Sequence, residues 1–470
     1  MIIGRETELR TLQRLYERDG FQFPVLFGRR RVGKTYLMSE FVKDKRAIFF
    51  TAVEDNVTAN LRNLSRAIYA LDQPDADPQL APRYPDFQTA FEAVFARASQ
   101  RRIVFIIDEY PYLAKADPSV SSILQALIDR SKDASQLYLM LCGSSLSFMR
   151  EQVLGEQSPL YGRRTAQIEL RPLDFFESRR FFPALEPIEA AEVYGMTGGI
   201  PLYLQQFSDS RSLDENIAEA FLDPSSILFE EPLNLLKQEV QKSAAYNSII
   251  EAIASGKTEN NEIATTVGLT AGELTYYLKE LQRIGLVEKE FPVCGGGRRP
   301  TYRLADNLFR FWYRFVAPNR STIERHMPRR ALTLIQKHLS EYMGDVFERI
   351  CREWLWRQNV AGKLGEDVDA IGRWWGNNPR ERREEEIDIV GLTEGVPTVL
   401  GECKWQQEKV GLDVAKTLGD RGSLVHASSH AQRFIFSKTG FTEGLREEAE
   451  RDERLHLLCI EEMVKSEPCD

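Results

Sequence analysis

Two short stretches of this sequence set chemistry-bearing residues at informative spacings. The first, VLFGRRRVGKTYLMSEF, carries Gly28 to Thr35 in the order G-x-x-x-x-G-K-T. Glycines at 28 and 33 let the backbone curl, so that the N–H groups of Gly28, Arg29, Arg30, Arg31, Val32 and Gly33 point at phosphate oxygens. The start of a following helix adds positive potential. Lys34 would then reach the β and γ phosphates of ATP, and the Thr35 hydroxyl would ligate Mg²⁺. The second stretch, VPTVLGECKW, sets Glu402 and Lys404 two residues apart in a strand-like run. Side chains at that spacing project from one face, with Cys403 on the other. The pair is either an exposed ion pair or half of a metal-dependent phosphodiesterase site.

These residues need elements to hold them. The phosphate-loop pattern has an apolar strand before it and a helical pattern after it. In RRIVFIIDEYPYL, five apolar residues, Ile103 to Ile107, precede two carboxylates. An unbroken apolar run reads as a buried parallel strand, and ligands sit at the C-terminal ends of such strands. Asp108 would hold the magnesium and Glu109 would polarise the attacking water. A third strand, LYLMLCGSS, ends in Gly143, Ser144 and Ser145. Ser144 either senses the γ phosphate or is an ordinary turn residue. Arg163 and Arg164, in SPLYGRRTAQIEL, are either a finger reaching a neighbouring phosphate or a plain surface pair.

A chain of 470 residues is too long for one core, and about three domains are expected. Hydrophobic residues at 43% and charged residues at 28% describe a globular protein and exclude a disordered one. A net charge of −9 argues against coating nucleic acid by bulk electrostatics but leaves room for local basic patches. Six scattered cysteines imply a reducing compartment without structural zinc. With no signal-peptide pattern and no membrane-length apolar run, a cytoplasmic protein is expected.

Together, IIGRETELRTL, the phosphate loop, IIDEYPYL, CGSS and GGIPLYL resemble the prokaryotic branch of the STAND ATPases, relatives of the AAA+ group. The resemblance covers about the first 235 residues. It implies that Ile3, Gly4 and Arg5 pack near the adenine, and that Gly199, Ile200 and Pro201 sit in a helical lid over the nucleotide. Residues 1–235 are therefore expected to be a phosphate-loop ATPase with a lid. Over 236–305 the pattern gives a helix, a second helix, a turn at Gly268, a longer helix and two short strands. Thr270 and Glu273 have capping-box spacing at the start of the longer helix. This is the layout of a winged helix. It is either a DNA reader, through Thr275, Tyr276, Lys279, Arg283, Arg298 and Arg299, or a protein–protein module. Residues 306–340, opening with the aromatic-rich DNLFRFWYRFVAPNR, are expected as a helical linker making interdomain contact.

Residues 341–470 begin with EYMGDVFERICREWLWRQ, whose apolar residues repeat at helical spacing with Glu348 at the edge of the stripe. Strand patterns follow in IGRWWG, REEEIDIVGL, VPTVLGECKW, RFIFSKTGF and LHLLCIEE, with a helix in VGLDVAKTLGDR. Asp388 stands between isoleucines, where alternation leaves one polar-face position. A helix glutamate, a strand aspartate and a Glu-x-Lys strand resemble the PD-(D/E)XK nuclease-like superfamily, with Ile387 in place of its proline. The resemblance implies that Asp388 and Glu402 hold Mg²⁺ or Mn²⁺, that Lys404 orients the attacking water and that Glu348 completes the metal shell. The chain as a whole resembles an α/β multidomain family joining this ATPase, a winged helix and a nuclease-like tail. ATP-controlled action on nucleic acid, with DNA favoured, is the function expected. A switch or regulator whose tail is an inert scaffold, or a self-assembling ATPase that recruits protein, is the alternative.

Overall fold

The computed structural model describes residues 2–240, 243–295, 299–365 and 367–466, so the wing residue Arg298 lies outside the described residues. The chain divides into two compact units: Met1–Pro172 with Ile200–Leu202, and Leu173–Gly199 with Tyr203–Asp470.

In the first unit, β1 (Pro24–Phe27), β2 (Ala47–Thr51), β3 (Ile103–Asp108), β4 (Leu137–Gly143) and β5 (Ala166–Glu169) form one parallel sheet in the order β2-β3-β4-β1-β5. Every residue of β1, β3 and β4 is buried, which is why their sequences are apolar without alternation. β4 lies between β1 and β3 and pairs with both. The residue after β4 is thereby set beside the ends of the phosphate-loop strand and the Asp-Glu strand. β1 runs into the loop and then into α1 (Lys34–Val42), capped by Gly33 at φ +94°. An L side chain held in left-handed backbone costs about 1–2 kcal/mol, so glycine is the residue that closes this turn without strain.

In the second unit, α2 (Pro187–Thr197) is followed by α3 (Ser243–Ala254), α4 (Asn260–Val267) and α5 (Ala271–Arg283). Next come β6 (Val287–Glu290) and β7 (Thr301–Leu304), paired antiparallel. The Thr270 side chain and the Glu273 carboxylate cap one another's backbone at the start of α5, as their spacing suggests. The aromatic stretch forms α6 (Asn307–Phe311) and a π-helical turn, Trp312–Val316. Its rings are core of the second unit. Trp312 Nε1 donates to the Phe229 carbonyl at 2.8 Å, and Phe311 lies 4.7 Å from Phe221.

The linker expected over 306–340 is not a separate segment. One helix, α7 (Pro328–Val360), runs through the expected boundary at residue 341. Ala331, Ile335, Leu339, Tyr342, Met343, Val346 and Ile350 keep a single buried stripe along it. Behind it stands a five-stranded sheet, ordered β12-β11-β10-β9-β8. Its strands are β8 (Ala370–Asn378), β9 (Arg383–Thr393), β10 (Val396–Lys404), β11 (Gln432–Ser437) and β12 (Leu455–Cys459). The first three are antiparallel neighbours. β10, β11 and β12 are parallel, joined by crossovers through α8 (Leu412–Gly422) and α9 (Glu443–Arg451). α7 and α8 both pack on β9 and β10. Consequently Ile387, Asp388 and Ile389 are all buried, and the position that alternation leaves to Asp388 faces inward rather than toward solvent. No described helix is long and apolar enough to cross a membrane.

Candidate functional site

The sheet of the first unit gathers the sequence-derived nucleotide residues at the C-terminal ends of β1, β3 and β4. Lys34, 6% exposed, donates from Nζ to the carbonyls of Gly28 and Arg29, each at 2.9 Å. Burial lowers its pKa, against Cys142, Glu109 and Asp108, which pull it upward. The Thr35 hydroxyl donates to Asp108 Oδ2 at 3.1 Å. Two hard oxygen donors side by side are a donor set that suits Mg²⁺. Glu109 follows β3 with φ +51°, uncommon for a residue with a side chain. Its Oε2 accepts from the Ser144 hydroxyl at 2.8 Å and from the Ser144 N–H at 3.3 Å. Ser144 therefore fixes the Glu109 carboxylate across from the phosphate loop, a closer link than a turn residue needs.

The loop itself is braced from below. Arg5 is 5% exposed and donates from Nη2 to the Val32 carbonyl at 3.1 Å and to the Arg171 carbonyl at 2.6 Å. With Ile3 and Gly4 just ahead of it, the residue assigned to the adenine by resemblance thus spans the loop and the segment after β5. A Cβ on Gly28 would lie 2.3 Å from the Leu170 carbonyl oxygen, so this position tolerates glycine alone. Arg30 donates to the Tyr112 hydroxyl at 2.8 Å, and Arg31 takes φ +71° between Arg30 and Val32. The Pro201 ring comes within 3.9 Å of where a Cβ on Gly33 would stand. Arg163 is drawn elsewhere. It holds Asp129 through two bonds of 2.6 and 2.8 Å and donates to the carbonyls of Pro159 and Tyr161. Arg164 donates to the Leu154 carbonyl. As placed, neither is extended as a finger.

In the second unit, antiparallel pairing of β9 with β10 brings Asp388 alongside Glu402. Asp388 Oδ2 accepts from the Cys403 N–H at 2.8 Å. Its carboxyl is pushed up to about 7, by burial first and the Glu402 charge second. Lys404 Nζ lies 2.7 Å from Glu402 Oε1, on the same face as the spacing requires. Burial works against the ammonium, but Glu402 and Asp388 raise its pKa overall. Glu348, buried on α7, is pushed up to about 8 by burial and then by Asp388. It does not complete a metal shell here. Arg373 on β8 reaches its carboxylate at 3.2 Å, and also Glu386 at 3.1 Å. Among the described residues, no three His, Cys, Asp or Glu side chains form a group able to hold a metal ion. Residues that no sequence pattern singled out complete the cluster, Arg373 among them. Arg421, at the end of α8, bonds Glu385 at 2.9 Å and Glu402 at 3.2 Å, and Glu385 also accepts from Arg383 at 2.7 Å. No spacing signal marks Arg421, because only the β10–α8 crossover carries it to Glu402.

The chain is 34% identical over 427 residues to the uncharacterized protein MJECL04 of Methanocaldococcus jannaschii, covering 89% of this chain and 91% of that protein. Residues 2–207 match the family described as an ATPase domain predominantly from Archaea, and residues 312–415 match archaea bacterial proteins of unknown function. The chain belongs to the archaeal-type ATPase family. An uncharacterized ATP-binding protein of the same organism, MJ0423, is 39% identical over 46 residues, or 10% of this chain. Among solved structures, the Walker-type ATPase PABY2304 of Pyrococcus abyssi is 20% identical with a TM-score of 0.52, covering 67% of this chain and 96% of its own. That likeness is one of fold. The archaeal-type ATPase is an ATP hydrolase with a parallel-sheet P-loop core and a separate C-terminal sheet domain.

Proposed function

We propose that this ATPase couples its nucleotide state to a nucleic-acid-directed C-terminal domain, DNA being the favoured substrate. In this reading Lys34 and the loop N–H groups bind the ATP phosphates, Thr35 and Asp108 hold Mg²⁺, and Glu109, fixed by Ser144, polarises the attacking water. Arg5 shapes the loop, and Pro201 abuts it. The three helices and hairpin over α3 to β7 act as a winged helix, with Thr275, Tyr276 and Lys279 exposed on α5. The observation that carries the C-terminal assignment is the meeting of Asp388, Glu402 and Lys404 at neighbouring positions of β9 and β10. Their carboxylates are hard donors for Mg²⁺ or Mn²⁺, which when bound would neutralise a scissile phosphate. Lys404 would orient the attacking water.

A specific observation favours a second reading. Lys404 and Arg421 already neutralise Glu402, and Arg373 holds Glu348, as in a scaffold that binds without cutting. Plasmid DNA and RNA incubated with the full chain, ATP and Mg²⁺ or Mn²⁺ separate the two. Cleavage by wild type, lost in Lys404→Ala, supports the phosphodiesterase. Equal cutting by both, or none by either, leaves the scaffold reading.

A further inference from the structure

Arginine cannot shed its charge, so guanidinium groups drawn into a cavity need anions facing them. In the second unit, five arginines line one cavity of about 110 Å³, walled on one side by Ile253 and Ala254 of α3. Arg303 comes from β7, Arg310 from α6, Arg314 from the π-helical turn, and Arg349 and Arg352 from α7. Three carboxylates, Glu288, Glu290 and Asp345, line it as well, so five cations against three anions leave two positive charges in surplus. Arg303 and Arg310 both pair with Asp345, and Arg303 also lies 3.3 Å from Glu290. Arg314 turns to Glu341 at 2.8 Å. The surplus sits on the other two. Arg349 has no carboxylate at ion-pair distance among the described residues. Its Nη1 donates to the Ala305 carbonyl at 2.9 Å and reaches Asn307 Oδ1 at 3.5 Å, both neutral oxygens. Arg352 meets Glu348 only at 3.9 Å, and its Nη1 is buried with no hydrogen-bond partner among the described residues. Three residues apart on α7, the two guanidinium groups lie on one face of the helix. Planar forks of this kind match the oxygens of a phosphate. The volume is that of several waters, enough for one tetrahedral oxyanion. It falls well short of the roughly 300 Å³ or more that a larger organic ligand fills.

We propose that this cavity binds a phosphate dianion, free or as the terminal group of a small phosphomonoester, with Arg349 and Arg352 as its main partners. The dianion balances the surplus charge and supplies Arg352 Nη1 with an acceptor. Every lining residue belongs to the second unit, so the site is distinct from the phosphate loop of the first. Because the lining joins the β6–β7 hairpin to α7, an occupied site ties that hairpin to the helix.

Equilibrium dialysis of radiolabelled orthophosphate against the full chain tests this, with Lys34→Ala in every protein so that the phosphate loop contributes least. One saturable site is expected in that background. Arg352→Gln should weaken it about tenfold or more, the loss of one charge-assisted bond. Glu288→Gln should tighten it about threefold, because a repelling charge is gone. An arginine cluster that only braces the fold would show no saturable site, or one that neither substitution moves, and either result overturns the proposal. Should Arg352→Gln fail to fold, Glu288→Gln decides, since Glu288 is exposed and its side chain makes no hydrogen bond or ion pair among the described residues. Tighter binding there supports the site, and unchanged or weaker binding overturns it. Displacement of the label by phenyl phosphate as well as by unlabelled phosphate supports the end of a phosphomonoester. Displacement by unlabelled phosphate alone supports the free ion.

Discussion

Lys34 sits in a pocket of opposing influences, with burial lowering its pKa and Cys142, Glu109 and Asp108 offsetting that only in part. A phosphate chain supplies the negative charge that such an ammonium lacks, so its removal should act on binding itself. Lys34→Ala is expected to abolish ATP binding and turnover. Glu109→Gln should keep binding, because its role in the proposed scheme is confined to the attacking water, and lower turnover about 100-fold or more. Equilibrium binding of labelled ATP and phosphate release, measured on the same preparations, check both. Normal hydrolysis by Glu109→Gln would sink the assignment of Glu109. The residue itself was legible: two carboxylates after an apolar run announce themselves. Its clamp by Ser144 was open in the sequence, since a serine after a strand reads equally as a turn.

At the scale of elements, α7 organises the second unit through buried charge as well as through its apolar stripe. Glu353 on α7 accepts from the Phe175 N–H at 3.1 Å and from the Tyr194 hydroxyl at 2.9 Å. Its carboxyl is pushed up to about 7, by burial first and by Asp174 next, from an ordinary value of 4.5. The folded value lies above the unfolded one. Between pH 4.5 and about 7 the unfolded chain therefore holds fewer protons than the folded chain, and stability falls as pH rises, levelling off above that window. Glu353→Gln cannot ionise; its one carbonyl oxygen can accept from the Phe175 N–H while its amide N–H donates to the Tyr194 hydroxyl, which turns from donor to acceptor. It should flatten this decline by on the order of 2–3 kcal/mol. Urea unfolding of wild type and variant at pH 5 and pH 8 measures the difference, and parallel pH slopes would refute it. The helical spacing of α7 was readable residue by residue. Its continuity was not, because an exposed helix turn and a helical linker share one composition.

For the whole molecule, the question is whether nucleotide state reaches the C-terminal domain. If it does, affinity for duplex DNA should differ by about fivefold or more between ATP and ADP, and the difference should vanish in Lys34→Ala. Fluorescence anisotropy with the full chain tests this at fixed salt, since phosphate contacts are salt-dependent. Identical affinities with ATP, ADP and no nucleotide would leave the two activities uncoupled.

What the sequence determined by itself was whatever depends on neighbours along the chain. The phosphate loop, the buried strand ending in Asp108 and Glu109, the Thr270–Glu273 cap and the common face of Glu402 and Lys404 all follow from local geometry, and each is present where its spacing puts it. What only the tertiary structure decided was which distant groups share a space. Arg5 meets the Val32 carbonyl, Arg163 meets Asp129, and Arg373 and Arg421 reach Glu348 and Glu402 across segments that carry no pattern linking them. Buried charge must find its counter-ion wherever the fold delivers one, and a strand's alternation says which way a carboxylate points but not which cation waits there.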